Sequence, residues 1–203
     1  MILGLILAGG QSTRMGGGDK GFRKVGGVPI LTRVLSRVGP QVDRLAINAN
    51  GDPERFADCE LPIIADDLAD FPGPLAGILA GMDYAAEMTN ASHILSVAAD
   101  CPFLPVDLAQ RLKAVTQLRQ ARVAVAHSGG YAQPTIALWD ISLRHDLREA
   151  LTAEGLRKID IFTARYPAAS AEWLTEPFDP FFNANTPEDL ALAETIAVRY
   201  PNA

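Results

Sequence analysis

Only two cysteines, Cys59 and Cys101, and three histidines, His93, His127 and His145, occur in the 203 residues. Two cysteines this far apart make neither a zinc-ligand spacing nor a disulfide framework, so reduced thiols in a cytoplasmic protein are the expectation. Positive charge is also short: 18 Lys and Arg stand against 24 Asp and Glu, a formal net charge of −6. That balance, without interleaved basic and aromatic residues, argues against nucleic acid or an anionic membrane surface as partner. Long apolar runs are missing as well. The N-terminus begins apolar but carries no basic flank, and glycines soon interrupt it, so it reads as neither a signal sequence nor a membrane span. Internal repeats, low-complexity tracts and linkers are absent. A small anionic ligand stays possible, because Arg14, Lys20, Arg23 and Lys24 cluster locally.

What is present fits one globular domain over residues 1–203, with 48% hydrophobic and 21% charged residues. Ile2 to Leu7 is a continuous apolar run ending at glycines, the pattern of a buried parallel strand. In "VPILTRVLSRVGP", Ile30, Val34, Leu35 and Val38 recur at helical spacing, with Pro29 opening and Gly39-Pro40 closing. "VDRLAINAN", "LPIIADD", "HILSVAAD", "ARVAVAHS" and "QPTIALWD" read as strands. "GPLAGILAGMDYAAEM", "PVDLAQRLKAVTQL", "SLRHDLREAL" and "GLRKIDIFTARY" read as helices. "FFNANTPEDLALAETIAV" reads as a short strand, an Asn/Thr turn and a terminal helix capped by Thr186 and Asp189. Alternating strands and helices predict a doubly wound, mostly parallel α/β sheet with helices on both faces. Ligands of such sheets sit beyond the carboxyl ends of strands. The polar residues just past the apolar runs are Gly9-Gly10, Asn48, Asp66, Asp100, Asn183 and Asn185.

The stretch after the first strand contains "GGGDKG", which spells the dinucleotide fingerprint G-x-G-x-x-G. That fingerprint belongs at the first strand-to-helix turn, and here it begins well downstream with no clean helix opening behind it. A P-loop fails too, since Lys20 is followed by Gly21 and not by a hydroxyl residue. What remains is a long loop able to wrap a phosphate chain. Its glycines let backbone N–H groups converge on an anion. Ser12 and Thr13 add hydroxyl donors, Arg14 a bidentate fork and Lys20 a point charge.

"LILAGGQSTRMGGGDK" resembles the signature L-A-G-G-x-S-x-R-M-G-x-x-D-K of the molybdenum cofactor guanylyltransferases. The resemblance continues, collinear over nearly the whole chain, in "NAN" (Asn48 to Asn50), "ADDLADFPGPLAG", "AADCPFLP", "QPTIAL" and "FFNANTPEDL". It implies a Rossmann-like nucleotidyltransferase fold of the GT-A type. It also implies transfer of GMP from GTP to the terminal phosphate of molybdopterin cofactor, with release of pyrophosphate. Carried over residue by residue, Leu7, Ala8, Gly9 and Gly10 correspond to the nucleotide-cradling turn, and Lys20 to the phosphate-binding lysine. Asn48 and Asp66 correspond to nucleotide-contacting positions, and Asp100 to the ligand of Mg2+. Gly77, within "GPLAG", and Asn183 and Asn185 belong to motifs implicated on the acceptor side, which places GTP and magnesium in the N-terminal part. The implied partners are GTP and molybdopterin cofactor, with molybdoenzymes or their chaperones downstream. Two readings stand beside it: a cytidylyl- or sugar-phosphate nucleotidyltransferase of the same fold, and a non-catalytic GTP-binding module.

The elementary chemistry agrees. A phosphate monoester has a second pKa of about 6, so as a nucleophile it needs no general base, in keeping with histidines placed for surface or packing. The difficulty is bringing a dianion to a tetra-anion, which calls for neutralisation and alignment. Magnesium takes oxygen ligands, usually one or two carboxylates plus phosphates and waters, and Asp100 offers one. The bland reading of Asp100 is a turn former before Pro102. Asp66 has two acceptors able to match the N1–H and N2 donors of guanine, and Asn48 could read another edge or the ribose; which of the two touches the base is open at this point. Cys101 lacks a partner base, so it reads as packing. Trp139, Trp173, Phe181 and Phe182 read as core.

Overall fold

Ile2–Leu7 forms β1, and the sheet is built outward from it. The computed structural model describes residues 1–9, 20–68 and 73–201. Along the chain follow a small hairpin of β2 (Lys24–Val25) and β3 (Val28–Pro29), α1 (Ile30–Val38), β4 (Arg44–Asn48) and β5 (Ile63–Ile64). Next come α2 (Pro74–Met88), β6 (His93–Ala98), α3 (Leu108–Arg119), β7 (Val123–Ser128) and β8 (Tyr131–Asp140). The last elements are α4 (Arg144–Thr152), α5 (Ile159–Thr163), β9 (Ala168–Trp173) and α6 (Pro187–Arg199).

The seven-stranded sheet has the order β5-β4-β1-β6-β8-β7-β9. β1 pairs in parallel with β4 on one side and β6 on the other, β4 with β5, and β7 with β9. Only β8 is reversed, antiparallel to both β6 and β7. Its reversal follows from the two-residue turn Gly129-Gly130, whose φ angles of 57° and 81° suit a hairpin and exclude most side chains.

Side chains alternate across β1 with the strand period of two. Leu3 and Leu5 enter one core with Leu79 of α2, Leu147 of α4 and Phe162 of α5. Ile6 enters the other with Val34 of α1, Leu112 of α3 and Ala193 of α6. Helices therefore cover both faces, as expected. Burying each large aliphatic side chain is worth about 1.5–3 kcal/mol. Trp139, fully buried, keeps its one polar atom satisfied: Nε1 donates to Ser96 Oγ at 2.9 Å, and Ser96 Oγ donates to the Thr135 carbonyl at 2.9 Å. Trp173 and Phe181 are core residues too, at 6% and 2% exposure.

Several elements differ from the sequence reading. The helix expected from "GLRKIDIFTARY" is only Ile159–Thr163, because the residues before it serve to end α4. Gly155 turns left-handed, and the Leu156 N–H returns to the Ala150 carbonyl at 2.9 Å. No strand forms at Phe181-Phe182. The N–H of Phe181 is taken by Asp179 Oδ1 at 2.9 Å and that of Phe182 by the Asp179 carbonyl at 3.1 Å, so the backbone is satisfied by a turn. β9 and the β2–β3 hairpin were not anticipated. The capping box of α6 is present: Thr186 accepts from the Asp189 N–H at 3.1 Å, and Asp189 Oδ2 from the Thr186 N–H at 2.9 Å. Among the described residues no helix is long and apolar enough to cross a membrane.

Candidate active site

β1, β4 and β6 end level with one another, Leu7 standing opposite both Asn48 and Ala98. The ladder continues for one more residue. The Ala8 N–H donates to the Asn48 carbonyl at 2.8 Å, Ala49 N–H to Ile64 at 3.0 Å, and Ala99 N–H to Leu7 at 3.1 Å. Beyond that rung the chains part, and a cleft of about 270 Å³ opens at the carboxyl edge. Gly9, Asn48 and Asp100, expected here from their positions just past apolar runs, line it, as do Leu7 and Ala8, which the resemblance placed in the nucleotide-cradling turn; Asn183 and Asn185 do not. Gly73 and Pro74, from the "GPLAG" stretch, and Thr135, from "QPTIAL", also line it, together with Gly21, Leu31 and Phe56, which were not singled out from sequence. Phe56 reaches it from a 3-10 turn (Pro53–Cys59) and Thr135 from the reversed strand. Gly73 and Pro74 bring the N-terminus of α2, the positive end of its dipole, to the cleft wall.

Asn48, 4% exposed, is a buried bracket. Its Nδ2 donates to the Ile64 carbonyl at 3.1 Å and to Asp66 Oδ1 at 2.8 Å. Asn50 completes the bracket: its Nδ2 donates to Asp66 Oδ2 at 2.8 Å, and its Oδ1 accepts from the Asp66 N–H at 2.8 Å. Among the described residues each Asp66 oxygen thus has one side-chain donor and a lone pair to spare. Asp66 stands beside the cleft without lining it. Gly77 is buried and does not line the cleft either. A Cβ there would come within 2.8 Å of Asn48 Cγ and closer still to Oδ1. Glycine lets α2 pack directly on the Asn48 amide.

Asp100, half-buried on the cleft wall, is backed by the C-terminal segment. Its carbonyl accepts from the Ala184 N–H at 3.0 Å, and the neighbouring Cys101 Sγ donates to Asn183 Oδ1 at 2.6 Å. Asp179 ties this segment to the hairpin, accepting from Ser128 Oγ at 3.1 Å, while Ser128 Oγ accepts from Gln133 Nε2 at 3.2 Å. Phe181 packs edge-on against Trp173, with centroids 5.3 Å apart. The structure therefore brings Asn183 to the Asp100 turn, with Asn185 two residues on, its N–H donating to Asp189 Oδ2 at 3.0 Å. Burial, reinforced by the charges of Asp100 and Asp179, pushes the Cys101 thiol well above its ordinary range. It stays protonated and makes no nucleophile. No histidine lines the cleft.

Gly10, Ser12 and Arg14 lie outside the described residues. Lys20 opens a short 3-10 turn (Lys20–Phe22) whose Gly21 touches the cleft. Among the described residues no group of three or more His, Cys, Asp or Glu side chains is placed to hold a metal. A magnesium ion carried on a nucleotide's phosphates does not need one, and Asp100 presents the hard oxygen donor such an ion takes from a protein.

Residues 4–166 match the family model described as MobA-like NTP transferase domain. The molybdenum cofactor guanylyltransferase of Rhodopseudomonas palustris strain BisB5 is 58% identical over 196 residues, covering 96% of this chain and 93% of that protein. In fold, the chain is similar to molybdopterin-guanine dinucleotide biosynthesis protein A from Archaeoglobus fulgidus. The TM-score is 0.76 at 24% identity, over 98% of this chain and 100% of that one. It is also similar to Rv0371c of Mycobacterium tuberculosis H37Rv in complex with manganese. The TM-score is 0.68 at 15% identity, over 96% and 98% of the two chains.

Proposed function

The chain belongs to the molybdenum cofactor guanylyltransferases, nucleotidyltransferases with a MobA-like NTP transferase domain, and from that premise we propose that it joins GMP from GTP to the terminal phosphate of molybdopterin cofactor. The observation that carries this is the Asp100 turn, which lines the cleft and whose backbone carbonyl accepts from the Ala184 N–H of the C-terminal segment at 3.0 Å. One group for the donor and one segment for the acceptor share a turn.

In this reading the Gly9-Gly10 turn, Ser12, Arg14 and Lys20 cradle the triphosphate. Asp66, fixed by Asn48 and Asn50, accepts from the guanine N1–H and N2 donors. Asn183 and Asn185 face the acceptor. A phosphate oxygen of the pterin attacks the α-phosphorus of GTP, and the bond to the bridging oxygen of pyrophosphate breaks. No proton moves, since the nucleophile is already dianionic near neutrality. The residues' work is to hold two anions in line and offset their repulsion. Asp100 would hold magnesium, which when bound supplies charge neutralisation on the phosphates. The manganese in the Rv0371c structure supports a divalent ion in this fold.

The test is incubation with GTP, magnesium and molybdopterin cofactor, scoring pyrophosphate and the dinucleotide. Both products should appear, and CTP, ATP and UTP should serve poorly. Asp100→Asn should lower turnover about 100-fold or more, and Asp66→Asn should erode the preference for GTP. Binding of GTP without pyrophosphate release would leave a nucleotide-binding module. A preference for CTP would make the chain a cytidylyltransferase.

A further inference from the structure

A second cavity, of about 530 Å³, lies behind the segment that carries Asp66, between α2 and α4. Its walls hold opposite charges already engaged with one another. Arg148 of α4 donates from Nη1 to Asp67 Oδ2 at 3.0 Å and from Nη2 to Asp83 Oδ2 of α2 at 2.7 Å. Arg144, one turn earlier, donates to Asp83 Oδ1 at 3.3 Å. Asp83 is thus fixed by two guanidinium groups, and its side chain is only 20% exposed. Asp67 is 69% exposed, and the only side chain that holds it among the described residues is Arg148. Asp67 directly follows Asp66, whose carboxylate is bracketed by Asn48 and Asn50.

We propose that Arg148 is a positioning residue for nucleotide selection, holding the 65–68 segment from behind so that the Asp66 carboxylate keeps its orientation toward the base. The inference rests on the reading that Asp66 recognises guanine. An isolated surface pair would be too weak to matter. Here one planar fork spans two carboxylates, one of them on a buried helix, so the geometry of α2 is passed to the loop. Arg148 touches neither the cleft nor the reacting atoms. Its loss should therefore weaken selection of the ground-state nucleotide and leave the chemical step intact.

The experiment is steady-state kinetics with GTP or ATP, magnesium and molybdopterin cofactor, on Arg148→Met, Arg148→Lys, Asp67→Asn and Asp66→Asn. Arg148→Met should raise the KM for GTP about fivefold and narrow the preference over ATP, with kcat within about twofold. Arg148→Lys should recover part of the loss. Asp67→Asn should reproduce it, and the double variant should be no worse than either alone, because both act through one contact. Arg165→Met, which breaks a comparable pair with Glu154, is the control and should leave KM unchanged. A lowered melting temperature with unchanged KM and preference in Arg148→Met and Asp67→Asn would overturn the proposal. If Asp66→Asn changes the preference while those two do not, only the role of Arg148 fails. If Asp66→Asn leaves the preference unchanged, the reading of Asp66 fails and this inference with it.

Discussion

A single methyl group added at position 77 would reach Asn48 and, through it, Asp66. Gly77 packs on the Asn48 amide, and Asn48 holds Asp66. In Gly77→Ala the new Cβ has no free space, so Asn48 must turn or α2 must shift. Overpacking of this kind costs about 1–3 kcal/mol. We expect the variant to melt earlier and to show a raised KM for GTP, measured by thermal unfolding and pyrophosphate release. An unchanged KM in a destabilised protein would separate Asn48 packing from nucleotide recognition. At this scale the sequence told much. Asn48, Asp66 and Asp100 each follow an apolar run, and parallel strands deliver such residues to one edge. Phe56 was not legible, because a 3-10 turn offers no such cue, and Asn50 and Thr135, though inside the quoted "NAN" and "QPTIAL" stretches, were given no role of their own. Arg148 was invisible for a different reason. Its partner Asp67 is 81 residues away, and no local pattern encodes that meeting.

Among the elements, α6 is coupled to the site through its cap. Asp189 Oδ2 accepts from the N–H groups of both Thr186 and Asn185, so the start of the helix and the Asn183–Asn185 turn share one anchor. Removing the hydroxyl in Thr186→Ala should cost about 1 kcal/mol. Asp189→Ala should do more, since it also releases Asn185. If the segment serves the acceptor, the KM for molybdopterin cofactor should rise in Asp189→Ala while GTP binding holds. Parallel rises in both would argue that the segment supports the whole cleft. The long elements were readable because period and caps agreed, as in α2 with Pro74 in its first turn. β9 was not. It pairs only with β7 at the sheet edge, and its "AASAEW" has weak strand propensity. The α5 region misled because its apolar spacing is helical while Gly155 had already been used to end α4.

For the molecule as a whole, half-buried His93 and buried Cys101 each tie stability to pH. Burial lowers the pKa of His93 from its ordinary 6.5, against the opposing pull of Asp140. The folded state thus prefers neutral imidazole, and stability present above 6.5 falls as the pH drops and the unfolded chain takes up the proton first. Burial raises the Cys101 thiol above its ordinary 9.0, so stability present below that value is lost as the pH climbs and the unfolded chain releases its proton first. The melting temperature should therefore fall on both sides of a neutral plateau. His93→Gln should flatten the acid limb and Cys101→Ala the alkaline one. A limb unmoved by its variant would assign that limb to other groups.

The reversed strand has one more consequence. Because β8 runs against its neighbours, it ends at Asp140 opposite His93, at the amino edge of β6. The helix that follows must climb back toward the cleft edge, whereas α2 starts at the cleft and descends. α4 is therefore a measuring rod laid alongside α2. Among the described residues the guanidinium at 144 meets Asp83, and four residues higher that of Arg148 meets Asp83 and Asp67 together. One inserted turn, about 5.4 Å of added length, would carry the fork past the loop. The length of α4 sets the height at which Arg148 meets the segment that carries Asp66.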